Sequence, residues 1–174
     1  QQQADAAGLP LHTVELLWPS SNELYEARMR AAIDVACAEG VEAIAFGDLF
    51  LEDIRAYREK MLEGTGMRPI FPLWNRPTDA LAREMIAGGL QAHVTCVDPK
   101  KVPARFAGRR FDAALLDELP ADCDPCFERG EMHTFAFAGP MFARPVAVDV
   151  GVVVERDGFV FADLVPAIAA SASA

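Results

Sequence analysis

Between residues 22 and 39 apolar side chains return every three or four positions, with Leu24, Met29, Ala32, Ile33 and Ala36 on one face and charged residues between them. That period predicts an amphipathic helix. Ser20, Ser21 and Asn22 offer caps at its start, Glu23 and Glu26 suit the positive end of the helix dipole, and Gly40 stops it. A short apolar run over 41–46, closed by Gly47-Asp48, has the profile of a buried parallel strand. The same rhythm predicts a strand over 12–17 ending at Trp18 and a helix over 51–63 broken by Gly64 and Gly66. It then predicts a strand over 69–73, a helix capped by Thr78 and running through 86, and a strand over 91–97. Strands separated by single helices indicate an α/β fold with a mainly parallel sheet. In such sheets ligands bind beyond the carboxyl ends of the strands, which here carry Trp18, Gly47-Asp48, Leu73-Trp74 and Val97-Asp98.

After Pro99 the rhythm changes. A basic segment with Lys100, Lys101, Arg105, Arg109 and Arg110 leads to a short helix over 112–119 and a Cys- and Pro-containing loop over 122–130. Strands are expected over 132–137, 146–155 and 159–162, with Arg156-Asp157-Gly158 as the turn between the last two. The expected division is a partial nucleotide-binding α/β domain over 1–99, a smaller α+β lobe over 100–166 and a small-residue tail over 167–174.

Charge narrows the function classes. With 26 acidic against 16 basic residues, the net charge of -10 argues against a broad surface for DNA or anionic membrane, which needs clustered Lys and Arg. No apolar run approaches the roughly 20 residues of a membrane-spanning helix. The start lacks the basic and apolar stretches of a signal peptide, and four cysteines are too few for a disulfide scaffold, so a cytoplasmic location is expected.

The densest chemistry lies in residues 122–134, which hold Asp122, Cys123, Asp124, Cys126, Glu128, Glu131 and His133. Loops this rich in titratable groups are common homes for acid–base work, and equally for a solvated, salt-bridged surface. Cys123-x-x-Cys126 is a single pair where structural zinc usually takes two, and it precedes a strand where a redox pair would open a helix, so no metal site is expected. Gly47-Asp48 suits close approach of a ligand to the backbone, or a plain strand-to-helix turn with Asp48 as cap. Trp74 walls a pocket or packs. Glu52, Arg55, Tyr57 and Arg58 follow helix spacing, as a solvated face would.

Six segments in order resemble one family. They are Gly47-Asp48-Leu49-Phe50-Leu51-Glu52-Asp53-Ile54-Arg55, Phe71-Pro72-Leu73-Trp74, Cys96-Val97-Asp98, Phe106-Ala107-Gly108-Arg109, Asp124-Pro125-Cys126 through His133-Thr134-Phe135, and Gly139-Pro140-Met141-Phe142. Together they resemble the diphthine–ammonia ligase (diphthamide synthase) family, also described as an ATP-binding PP-loop, adenine nucleotide alpha-hydrolase-like family. The resemblance implies a Rossmann-like (HUP-type) nucleotide domain with a smaller C-terminal lobe. It implies an ATP-dependent ligase, using ATP with Mg²⁺, that adenylates a carboxylate and lets ammonia displace AMP. In archaeal and eukaryotic members the acceptor is diphthine on elongation factor 2, whereas the short, Ala-rich style here resembles bacterial members. Carried over by motif, Gly47 and Asp48 lie by the nucleotide, and Glu128, Glu131 and His133 are the catalytic candidates. Trp74, Asp98, Arg109, Gly130 and Thr134 are the substrate-side candidates.

The departures from the pattern carry their own expectations. The family's Ser-Gly-Gly-Lys-Asp-Ser phosphate loop is not among the 174 residues, which start at Gln1 without Met, so an N-terminally truncated member is expected. Unpaired strand edges would follow, with self-association into a homo-oligomer one way to cover them. Phe127 stands where the family usually has Gly, so the loop is expected to be strained or rearranged, and Arg129 stands where it has Asn. Two other readings stay open. One is a PP-loop tRNA-thiolating enzyme with Cys96 and Cys126 as sulfur carriers, and the other is a non-catalytic nucleotide-binding or interaction module.

Overall fold

A computed structural model describes residues 1–16 and 19–167. The chain divides into two compact units, one formed by Leu11–Arg76 and the other by Gln1–Pro10 together with Pro77–Ala174. Residue 99, where the sequence suggests a boundary, lies inside the second of these.

In the unit Leu11–Arg76, residues 11–16 have no regular structure and only Val14 among them is half-buried. The expected strand over 12–17 therefore does not form over its described part, because its backbone groups find no ladder partner there. Leu17 and Trp18 fall outside the described residues. Helix α1 (Gln2–Ala7) belongs to the other unit; here the first helix is α2 (Asn22–Ala38), and Ser21 Oγ accepts the Leu24 N–H at 3.3 Å as the expected cap. Strands β1 (Ala43–Ala45) and β2 (Arg68–Ile70) pair in parallel, Ala43 opposite Arg68, with α3 (Glu52–Leu62) connecting them. A buried cluster of Ile33, Leu62 and Met67, with Ile44, Phe46 and Cys37 against it, holds this β-α-β unit. β1 is half-buried rather than enclosed, since its sheet has two strands.

The other unit opens with α1 (Gln2–Ala7), which the strand-and-helix reading missed although Gln and Ala are good helix formers and Gly8 closes it at φ 67°. It continues with α4 (Thr78–Ala87), β3 (Gln91–Val97), α5 (Ala113–Asp117), β4 (Met132–Ala138), β5 (Val148–Arg156) and β6 (Phe159–Pro166). Thr78 is the first residue of α4 and not its cap; the N-cap position is Pro77, with no side-chain capping bond. Asp112 does cap α5, accepting the Leu115 N–H at 2.8 Å. Asp157 and Gly158, at φ 53° and 81°, make the expected tight turn between β5 and β6.

The mainly parallel sheet is corrected. β3 does not extend the β1–β2 pair but lies in a four-stranded antiparallel sheet of order β4-β3-β6-β5. Its sequence carries the reason: Gln91, His93 and Thr95 alternate with Ala92 and Val94, which are 2% and 0% exposed. One buried face and one open face suit an antiparallel sheet, whereas parallel strands are apolar on both. The buried face packs Val94 and Val97 against Phe106 and Leu115, all 0% exposed, with Phe111, Phe127, Met132 and Val160 completing the core.

One glycine fits the fold tightly here. Gly108 has φ 80°, donates its N–H to the Val94 carbonyl at 2.8 Å, and a Cβ on it would stand 2.9 Å from Val150 Cγ1.

Leu115→Ala is expected to lower stability by about 3 kcal/mol, because it leaves a cavity in the centre of this core. Val152→Ala, at a position 64% exposed, is expected to change it by less than about 0.5 kcal/mol. Urea midpoints of the two variants check this, and equal shifts would contradict the placement of the core.

Candidate functional site

The predicted site residues fall into two groups, one in each unit, and each is described separately. In the unit Leu11–Arg76, Gly47-Asp48 and Trp74 follow the carboxyl ends of the adjacent parallel strands β1 and β2, as expected. The Asn75 N–H donates to the Leu49 carbonyl at 2.7 Å, which ties the turn bearing Trp74 to the segment after Asp48. Phe71 stacks on Phe46 with centroids 5.5 Å apart and meets Trp74 edge-on at 5.9 Å. Arg55 lies 4.7 Å from the centroids of both Phe71 and Trp74, and Arg58 lies 5.3 Å from Phe46. These arginines are not merely a solvated face; their spacing on α3 sets both over the aromatic row.

Asp48 Oδ2 and Arg58 Nε are buried atoms 3.7 Å apart, too far for a hydrogen bond, and neither has another hydrogen-bond partner. The pair is attracted as charges but keeps hydrogen-bonding capacity at a strand end. Gly47 is exposed, and a Cβ there would meet nothing within 4 Å.

In the other unit the Cys- and Pro-containing loop is built around two buried carboxylates, Asp124 and Glu131, at 5% and 3% exposure. Glu131 Oε1 accepts the Asp124 N–H at 3.0 Å, and Asp124 Oδ2 accepts the Glu128 N–H at 2.8 Å. The Phe127 N–H donates to the Asp124 carbonyl at 2.9 Å, and the Gly130 N–H to the Phe127 carbonyl at 3.0 Å. Lys101 Nζ donates to the Arg129 carbonyl at 2.5 Å, fastening the loop from the basic segment. Asp98 Oδ1 accepts the Lys100 N–H at 3.0 Å, and its Oδ2 lies 3.9 Å from Lys101 Nζ.

Phe127 has φ 63°, the left-handed region that its neighbourhood in the motif makes natural for glycine. The expected strain is present and the loop keeps its turn. The ring is 8% exposed and meets Phe111 edge-on at 5.7 Å, so burial offsets the backbone cost.

Glu131 and His133 are two residues apart but differ in setting. Glu131 is buried within the loop, whereas His133 is an exposed residue of β4 opposite Cys96. Thr134 is also exposed on β4, Glu128 is half-buried, and Gly130 turns the loop at φ 73°. Arg109 is occupied: its guanidinium bonds Glu118 Oε2 at 2.7 Å, which raises its own affinity for the proton and lowers that of Glu118. A cavity of about 240 Å³ beside the loop is lined by Lys100, Lys101, Asp122, Cys123, Arg129 and Glu131. Sequence reading singled out Lys100 and Lys101 only as a basic segment; their approach to the loop is a contact between residues some 28 apart, invisible to local pattern.

Cys96, Cys123 and Cys126 are poor nucleophiles. Burial first, and then the neighbouring carboxylates, push the Cys123 and Cys126 thiols up to about 12. Cys126 Sγ is held by the Thr78 carbonyl at 3.3 Å. Burial also pushes the Cys96 thiol up. Among the described residues no group of three or more His, Cys, Asp or Glu side chains is placed to hold a metal ion.

These features define a two-unit α/β and α+β protein whose loop over 122–131 is a turn stitched by two buried carboxylates. Residues 77–161, the segment bearing that loop, match the family profile described as the diphthamide synthase C-terminal domain. The chain is 30% identical over 129 residues to the diphthine–ammonia ligase of Homo sapiens and 27% identical to that of Rattus norvegicus. The diphthine–ammonia ligase of Bos taurus is also 30% identical. Each match covers 71% of this chain and 48% of the relative, so the chain spans about half the length of these relatives. Residues 77–161 thus belong to the diphthamide synthase C-terminal domain family.

Two outcomes test the loop. Phe127→Ala loses ring burial and keeps the strained φ, whereas Phe127→Gly loses the ring and relieves the strain. Both are expected to destabilise, with the glycine variant about 1 kcal/mol the more stable, the reverse of the usual order in unfolding titrations. The thiols provide the second. Burial and negative neighbours disfavour the thiolate, which forms only as pH nears about 12 for Cys123 and Cys126. At pH 8 the reactive fraction is about one in ten thousand, against about a quarter for an ordinary thiol. Iodoacetamide is therefore expected to label both slowly in the folded chain and rapidly in urea, as read by mass spectrometry of the peptide carrying them.

Proposed function

We propose that the chain belongs to an ATP-dependent, amide-forming ligase, in which a carboxylate is adenylated and ammonia then displaces AMP. The observation that carries this reading is the carboxylate-stitched loop over residues 124–131 inside the segment that matches the diphthamide synthase C-terminal domain. A free carboxylate is a poor acyl donor, and adenylation gives it a good leaving group.

In this reading Gly47 offers an open backbone for the nucleotide, and the buried, unpartnered Asp48 Oδ2 accepts one of its donors. Trp74, with Arg55 on its face, walls that side. The residues present fit the sugar or base of ATP; Mg²⁺ enters with the phosphates, for which one or two carboxylates suffice. On the acceptor side Gly130 and Thr134 border the loop, and Asp98 orients Lys100 and Lys101. Glu131 or the exposed His133 takes the proton that the attacking amine loses, with Glu128 as the further carboxylate. Arg109 acts by holding Glu118 rather than by touching substrate.

The sulfur-transfer alternative needs thiolates at Cys96 and Cys126, and both thiols are pushed the wrong way for it. A cytoplasmic enzyme with nucleotide, ammonia and an acceptor carboxylate as partners follows from the ligase reading, and no helix is long and apolar enough to cross a membrane among the described residues. Diphthine is the acceptor in the names of the relatives and the first compound to try.

The test incubates the chain with ATP, Mg²⁺, ammonium and diphthine-bearing elongation factor 2, and resolves the nucleotides. AMP formed in step with amide supports the reading, and Asp48→Ala is expected to weaken AMP binding about tenfold. ADP as the product would replace adenylation by acyl-phosphate chemistry. Nucleotide binding without turnover would leave the binding-module reading in its place.

A further inference from the structure

Several cations of the chain are held in ion pairs, Arg55 with Glu59 at 2.8 Å, Arg83 with Asp117 at 3.0 Å and Arg109 with Glu118 at 2.7 Å. Arg30 and Lys60 differ. Neither side chain makes a hydrogen bond or an ion pair among the described residues. Glu26 stands four residues before Arg30, the favourable order for a helical pair, and the pair does not form.

Arg30 lies on α2 and Lys60 on α3, and both line one cavity of about 290 Å³ in the unit Leu11–Arg76. Glu26 from α2 and Tyr57 and Met61 from α3 line it as well. Arg30 and Lys60 are exposed, so a ligand reaches them from solvent, whereas Tyr57 and Met61 are half-buried and supply an apolar surface.

The lining limits what fits. A guanidinium, an ammonium and a phenol O–H are three donors suited to an oxyanion. Burial first, and then Tyr25 and Glu26, raise the Tyr57 phenol above its ordinary range, so it keeps its proton and donates. The Tyr57 ring and the Met61 thioether suit a flat apolar body. Arg30 and Lys60 against Glu26 leave one positive charge to be met, so a monoanion fits and a dianion meets the Glu26 carboxylate. The volume is near the lower end for small-molecule pockets, roughly 300 Å³, which suits a single ring.

We propose that this cavity between α2 and α3 binds a small aromatic monocarboxylate, its carboxylate at Arg30 and Lys60 and its ring against Tyr57 and Met61. The site shares no residue with the strand ends that bear Asp48 and Trp74, and it does not rest on the ligase reading.

Ligand-observed NMR titration of the 174-residue chain tests it, with benzoate, acetate, benzylamine and phenyl phosphate as probes. Benzoate is expected to bind saturably and about tenfold more tightly than each of the others. Acetate lacks the ring, benzylamine has the wrong charge, and phenyl phosphate at about pH 8 carries a second negative charge towards Glu26. Arg30→Ala and Lys60→Ala are each expected to weaken benzoate about tenfold with little change in melting temperature, because neither side chain is bonded within the fold. Tyr57→Phe keeps the ring, removes the O–H and should weaken benzoate as well. Excess AMP should leave benzoate bound.

A cavity that is merely a solvated groove gives no saturable benzoate binding, and that result would overturn the proposal. So would benzylamine or phenyl phosphate binding as tightly as benzoate, unchanged affinity in both alanine variants, or displacement of benzoate by AMP.

Discussion

Residues 122–131 have no strand or helix to satisfy their backbone, so every N–H turned inward needs an acceptor from a side chain or a turn. Glu131 and Asp124 supply two of these, the first accepting from Asp124 and the second from Glu128. Each carboxylate fixes a backbone N–H several residues away, and the two bonds together close the turn. The Glu131 carbonyl also accepts the Asp98 N–H at 2.9 Å, which locks the loop to the end of β3 and sets the register in which β4 leaves it. The antiparallel sheet, the position of His133 and Thr134, and the cavity beside Lys100 and Lys101 all depend on that closure.

The same loop shows how a local cost is met by packing. A phenylalanine at φ 63° is strained by about 1 kcal/mol relative to glycine. Burying its ring beside Phe111 returns more than that, on the order of 2–3 kcal/mol. A glycine there would free the backbone and empty part of the core. The substitution thus exchanges flexibility of the turn for anchorage, and it makes the loop a part of the hydrophobic core rather than a strap laid over it. Anchored in this way, the turn holds Glu131 buried with Oε1 on the Asp124 N–H.

Much of the architecture was legible because it rests on local chemistry. Ser21 before α2, Asp112 before α5 and Asp157-Gly158 between β5 and β6 each do what their side chains or backbone freedom dictate. The error at β3 came from reading the order of elements, strand then helix then strand, in preference to the alternation of Gln91, His93 and Thr95 with Ala92 and Val94. Alternation was the better guide to the sheet type. The segment 11–16 failed for the opposite reason: its pattern allowed a strand, but a strand exists only with a partner, and pairing is not written in one segment. In the site, Glu131 and Phe127 could be singled out from the motif. Arg55 over Trp74 and Lys101 on the Arg129 carbonyl depend on contacts between distant positions and could not.

Net charge and local charge point to different length scales. At -10 the chain repels polyanions at distances where many charges act together, yet its basic segment gathers Lys100, Lys101, Arg105, Arg109 and Arg110 within eleven residues. Much of that positive charge is paired within the unit. Arg105 and Arg109 share Glu118 at 3.8 and 2.7 Å, Arg110 bonds the Gln91 side chain at 2.6 Å, and Lys101 holds the loop. The arginines therefore act as cross-links, and Lys100 is left as the cation of this segment whose side chain makes none of these bonds. Charges paired this way largely cancel at a distance, so the segment presents no broad positive surface. Short pairings within the unit, rather than a broad positive potential, are what the basic segment supplies beside the carboxylate-stitched loop.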